Sequence, residues 1–149
     1  MKSLEVLLWS IAFPGFGQLL NKSYIKGLLF IFLEFLININ SNFNEIIYLS
    51  FIGETSQALE VADFSWLMFY PCIYFFSMWD AFQDAGGGKQ KYSYLPFAFC
   101  AYFVTIGIIF SPKVTIYHFF PGPVLLPMSG VIPGLIIGFL LKKWLIRRG

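Results

Sequence analysis

Five stretches of the chain, residues 4–20, 24–40, 64–82, 94–110 and 124–145, are each close to the length of a bilayer crossing and nearly free of charge. A membrane-spanning helix needs about 20 mostly apolar residues, with roughly 17 to 25 tolerated. Backbone polar groups in hydrocarbon must be satisfied inside a helix or a closed barrel. The near-continuous apolarity of these runs excludes the alternating pattern of barrel strands. The pattern therefore predicts an all-α, polytopic membrane protein with about five transmembrane helices. Composition points the same way. Only 12% of the 149 residues are charged and 58% are hydrophobic, against about 25% charged in a soluble domain. A chain this small cannot hide that much apolar surface in one core, so the lipid bilayer is its expected solvent. Residues 1–149 form a single membrane unit with no sign of a separate soluble domain.

The basic residues orient it. Lys22 and Lys26 fall between the first two runs, Lys89 and Lys91 between the third and fourth, and Lys142, Lys143, Arg147 and Arg148 at the end. If all five runs cross, these eight share one side. Lys2, Lys113 and the acidic connection bearing Glu45, Glu54, Glu60 and Asp63 take the other. Positive-inside bias then sets the C-terminus in the cytoplasm and the N-terminus outside. The first run is interrupted by Pro14, Gly15 and Gly17, and the alternative is a re-entrant first segment with four crossings and both termini inside. It lacks a small-x-small cleavage site, so it is expected to be retained.

Between the runs, Phe43, Ile46, Ile47 and Phe51 recur at helical spacing. They predict an amphipathic helix over about 43–53 on the outer surface, or else a projection of the second helix. Residues 84–92, with Gly86-Gly87-Gly88, are expected to be a flexible cytoplasmic loop without phosphate-cradle spacing. Cys72 and Cys100 lie inside apolar runs and suit packing better than a disulfide or metal site. His118 is the only histidine and sits between Tyr117 and Phe119, the setting of an interfacial anchor. One histidine assembles neither a triad nor a metal centre. No enzyme activity, cofactor, metal or nucleic-acid partner is expected.

Glu34 is the strongest functional candidate, because an acid inside a span is costly. It lies eight residues beyond Lys26, about 12 Å deeper along a helix and near mid-membrane. Asn38 follows one turn later on the same face and Gly27 precedes by two turns. Such a stripe can line a polar cavity or carry a proton; a structural glutamate, or one displaced to the interface, is equally compatible. In the last run Gly130, Gly134 and Gly138 share one face, a spacing that lets helix backbones touch. The contacted helix is in this chain, in a second copy, or in another membrane protein. Pro121-Gly122-Pro123 predicts an irregular entry with the helix starting after Pro123, and Pro127 and Pro133 are candidate kinks. Trp79 marks the inner interface. Asp80 and Asp84, one turn apart, either receive Lys22 or Lys26 or end a solvated helix.

The residues Phe13-Pro14-Gly15-Phe16-Gly17-Gln18-Leu19, then Asn21 and Lys26-Gly27-Leu28-Leu29, resemble the Pro-Gly-x-Gly-Gln…Lys-Gly hairpin of small bacterial membrane proteins related to the two-transmembrane-helix domain family. Trp79-Asp80-Ala81 with Asp84-Ala85 is similar to an ending in multispan relatives. The likeness covers the first 40 residues and this short tail; the family commonly has an aromatic where Leu20 stands. It implies a hairpin of spans one and two in a bacterial cell membrane, packing roles for Gly15, Gly17 and Gly27, and polar contacts near the inner turn for Gln18 and Asn21. The expected function is a non-catalytic scaffold, accessory subunit or regulator of another membrane system. The alternative is a small oligomeric transporter or channel using Glu34 and Asn38.

Overall fold

A computed structural model describes residues 2–148 and is all-helical. The first apolar run is not one helix. Helix α1 (Lys2–Ala12) ends at a corner where Pro14 lacks a backbone donor and Gly15 takes a φ of +99°, and α2 (Phe16–Leu20) follows. A left-handed Lys22 turns the chain into α3 (Tyr24–Ser41). Asn42, also left-handed, turns it into α4 (Phe43–Phe51), and its side-chain amide donates to the Val61 carbonyl at 2.8 Å. Next come α5 (Thr55–Val61) and α6 (Phe64–Leu67), whose first turn is capped by the Asp63 carboxylate accepting from the Ser65 and Trp66 amides. Helix α7 (Tyr70–Asp84) completes the third run, α8 (Leu95–Phe110) is the fourth, and α9 (Gly122–Ser129) leads into α10 (Val131–Arg148).

Two helical stretches are long and apolar enough to cross a membrane, Tyr24–Ser41 and the 27-residue Gly122–Arg148. A third is added if Thr55–Val61 and Phe64–Asp84, bent by 91°, count as one broken span. These two or three spans are fewer than the five crossings expected, or the four with a re-entrant first segment. Residues 4–20 are broken by the Pro14-Gly15 corner, whereas Phe64–Asp84 continues through right-handed Met68 and Phe69 and is bent only from the preceding α5, at Ala62-Asp63. Helix α8 has 16 residues, about 24 Å at the helical rise, against a hydrocarbon core of about 30 Å. The last span also starts earlier than expected, at Gly122 rather than after Pro123. Gly122 has φ +67° and packs on Thr55, whose hydroxyl donates to the Phe120 carbonyl at 2.9 Å. Its chain entry is therefore held by α5.

The three-glycine stripe, Gly130 at the junction of α9 and α10 and Gly134 and Gly138 within α10, lies on α8 of the same chain. A β-carbon added at Gly130 would fall 2.7 Å from the Phe103 carbonyl oxygen; at Gly134, 2.7 Å from the Cys100 Cα; at Gly138, 2.5 Å from the Pro96 Cα. The α8 side contributes its own notch: Gly107 faces the Pro127 backbone, with 2.6 Å for an added β-carbon. Helix α4 turns Phe43, Ile46 and Ile47 of the predicted face inward but leaves Phe51 out, and its inner side is a core element. Ile46 is fully buried with Ala58, Leu67, Ile108 and Val124, while Tyr48 and Phe51 stay exposed. Elsewhere, Ile25, Leu28, Phe32, Phe35 and Ile39 of α3 and Ile132, Ile136, Phe139 and Leu140 of α10 are exposed. Such a continuous apolar exterior fits hydrocarbon as its solvent.

Gly134→Leu is expected to destabilise the protein by about 1–3 kcal/mol or more, because the α8 backbone cannot yield to a side chain. Ile132→Ala, on the exposed side of the same helix, is expected to shift the midpoint far less. Unfolding in mixed detergent micelles checks both.

Candidate functional site

The polar groups of the chain gather where α2, α3 and α7 meet. Gly17 makes the approach possible, since a β-carbon there would lie 2.8 Å from that of Ala81 and 3.0 Å from the Val6 carbonyl oxygen. Gly15 and Gly27 do the same for the turn between α2 and α3. An added β-carbon at Gly15 would sit 2.6 Å from the Gly27 carbonyl oxygen, and one at Gly27 would sit 3.2 Å from the Gly15 carbonyl oxygen. On α7, Asp80 and Ala81 each lie three or four residues from both Ser77 and Asp84, so the four share one face.

Onto that face the hairpin delivers three donors. The fully buried Gln18 donates through Nε2 to the Ser77 carbonyl at 2.8 Å and to Asp80 Oδ2 at 3.1 Å. Asn21 Nδ2 donates to the Ala81 carbonyl at 2.8 Å. Lys26 Nζ bridges both acids, 2.7 Å from Asp80 Oδ1 and 2.9 Å from Asp84 Oδ2. The ammonium thus takes the receiving role that either Lys22 or Lys26 was expected to fill; Lys22 forms no ion pair among the described residues. Asp80 is the shared member, accepting from an amide and an ammonium at once. Charge-assisted bonds of this length are the stronger kind, though Lys26 is half exposed and screened accordingly. Gln18 Oε1 and Asn21 Oδ1 are buried with no donor among the described residues.

Glu34 is 4% exposed. It lies on the side of α3 near Tyr70 of α7. Its Oε2 is buried without a partner among the described residues. The structure does not join it to Asn38: the Asn38 amide donates to Asn44 Oδ1 of α4 at 3.1 Å, in an exposed position. The expected acid–amide stripe therefore divides into a buried acid near Tyr70 and an amide tying α3 to α4.

Tyr70, Tyr74 and Ser77 were not singled out in the sequence. The Tyr74 hydroxyl donates to the Ile11 carbonyl at 2.7 Å and so secures α1 to α7. Their four- and three-residue spacing inside an aromatic run was the available signal. Cys72 is exposed and Cys100 is buried, its thiol 3.7 Å from the Val131 carbonyl; neither is in a disulfide. His118 lies in an exposed, left-handed turn bracketed by the Ile116–Phe119 bridge. Among the described residues no cluster of three or more His, Cys, Asp or Glu side chains is placed to hold a metal ion.

Two clefts of about 600 and 590 Å³ open between the α1–α7 pair and the α8–α10 pair, and Ile11, Phe75 and Val131 line both. Neither Glu34 nor any member of the Lys26 cluster lines them.

Gln18→Leu is expected to cost about 1–3 kcal/mol, because a buried carbonyl and a carboxylate lose their donor. Asp84→Asn, at the more exposed end of the cluster, is expected to cost less than about 1 kcal/mol. Unfolding midpoints of the two variants in the same detergent check the ranking.

No family model matches the chain, and no curated protein or solved structure is significantly similar to it.

Proposed function

We propose that the chain is a multi-pass protein of a bacterial cell membrane that acts without catalysis, as a scaffold, accessory subunit or regulator of another membrane system. One observation carries this reading: Gln18, Asn21, Lys26, Asp80 and Asp84 bond to one another or to helix backbone. They are spent on holding α2, α3 and α7 together, while the clefts have largely apolar walls. A rigid frame with an apolar exterior suits docking to other helices. The exposed side of α3 is the surface it offers to a second copy or to another membrane protein.

The topology that goes with it has five crossings, with α1 and α2 as a broken first crossing paired to α3. The C-terminus is cytoplasmic and the N-terminus outside. A re-entrant first segment with four crossings is the other arrangement. Kinship with the two-transmembrane-helix hairpin proteins is part of the proposal, supported by the Gly15–Gly27 approach at the turn. A second reading, proton- or ion-coupled transport, is favoured by Glu34 alone, whose Oε2 is buried and unpartnered among the described residues.

Crosslinking and affinity capture from mild detergent are expected to retrieve a partner of fixed stoichiometry, lost with Leu28→Trp on the exposed side of α3. Recovery of the bare monomer counts against scaffolding. Cysteine placed at Ser3, in a Cys72→Ser, Cys100→Ser background, is expected to label from outside, and one at Lys143 only after permeabilisation. An inward Ser3 means four crossings. For the second reading, Glu34→Gln would abolish flux into vesicles; unchanged flux sinks it.

A further inference from the structure

The first cleft has a polarity that the second lacks. Its α10 wall is formed by Val131, Leu135, Phe139 and Lys142, spaced by four, four and three residues and hence one stripe of the helix. At the deep end Val131 meets Phe75 and Cys100. At the other end the cleft is lined by Lys142 and by Lys89 and Gln90 of the loop after α7, which form its mouth. The eleven residue steps from Val131 to Lys142 rise about 16 Å, half of the roughly 30 Å hydrocarbon core. The cleft is therefore one leaflet deep. Neither Lys89 nor Lys142 is in an ion pair among the described residues, where the acids of this end, Asp80 and Asp84, are engaged by Lys26. The second cleft runs on from the shared Ile11, Phe75 and Val131 toward α4 and α9, and no charged residue lines it.

We propose that the first cleft is a binding site for one anionic phospholipid of the leaflet that contains Lys89 and Lys142. An acyl chain lies along Leu135 and Phe139 against Met78 and Phe97, and the phosphate is held by the two ammonium groups at the mouth. The occupant follows from charge and depth together. A phosphate is the group that two unpaired lysines at headgroup level attract, and apolar walls one leaflet long exclude a soluble anion from the rest of the site. A volume of about 600 Å³ is within the usual range for small-molecule sites, roughly 300–1,000 Å³. This rests on the membrane placement, and not on the scaffold role.

The test is native mass spectrometry of the full chain, released from vesicles of equal parts phosphatidylglycerol and phosphatidylcholine. One phosphatidylglycerol per chain is expected to be retained, on the order of 10-fold over phosphatidylcholine. In the Lys89→Ala, Lys142→Ala double variant the preference should fall to near parity. Lys89 is exposed and Lys142 is half-buried one turn past Gly138, at the end of the α8–α10 seam, so an unfolding midpoint equal to the parent's establishes that the double variant is folded. Equal retention of the two lipids overturns the proposal, as does a preference unchanged in the double variant. Competition by glycerol phosphate equal to that by the whole lipid overturns the apolar seat, as does a lipid-free dimer crosslinked through the cleft. A chain that resists alkaline extraction but shows no preference fails the lipid site alone. A chain released by alkali fails the membrane reading as well.

Discussion

Everything else in this fold rests on the backbone contact between α8 and α10. In hydrocarbon, apolar side chains gain nothing by leaving lipid for each other, so helices associate through close packing and a few polar bonds. Gly130, just before α10, and Gly134 and Gly138 within it remove the side chains from one face, and Phe103, Cys100 and Pro96 supply the surface that fills it. Gly107 completes the seam from the other helix. This pair is the rigid wall against which α7, and through it α1, is stacked. The two clefts are the spaces between the wall and those helices.

The second device is the Lys26 cluster. It does for α2, α3 and α7 what glycine does for α8 and α10, but with directional bonds. Gly17 first lets α2 approach α7, and only then do Gln18 and Asn21 reach the α7 carbonyls. Small residues and polar residues are thus not alternatives here. The close approach is the condition for the bond. Glu34 stands apart from this cluster, near Tyr70, with its Oε2 buried and unpartnered among the described residues.

The all-α architecture was legible because apolar run length and the demand for internal backbone bonding leave one solution. The glycine stripe and the paired acids were legible because three- and four-residue spacing means a shared helix face. The breaks were less so. Pro14-Gly15 announced a corner, but the 91° bend between α5 and the helical stretch from Phe64 to Asp84 depends on extended backbone at Ala62 and Asp63 and on the Asp63 cap, which no apolar periodicity encodes. Asn38 illustrates the limit at a site. Its spacing from Glu34 placed both on one face, yet the left-handed turn at Asn42 folds α4 back and offers the Asn38 amide a nearer partner in Asn44.

By itself, then, the sequence determined that this chain is helical, that much of it suits hydrocarbon, and which faces carry small or charged residues. These are local properties of periodicity and composition. Only the tertiary structure decided that α8 is the helix under the glycines, that Lys26 rather than Lys22 reaches the two acids, and that Lys89 and Lys142 share one apolar cleft. Those pairings join residues tens of positions apart. Their distances are set by how helices cross and turn, which no spacing within a single helix encodes.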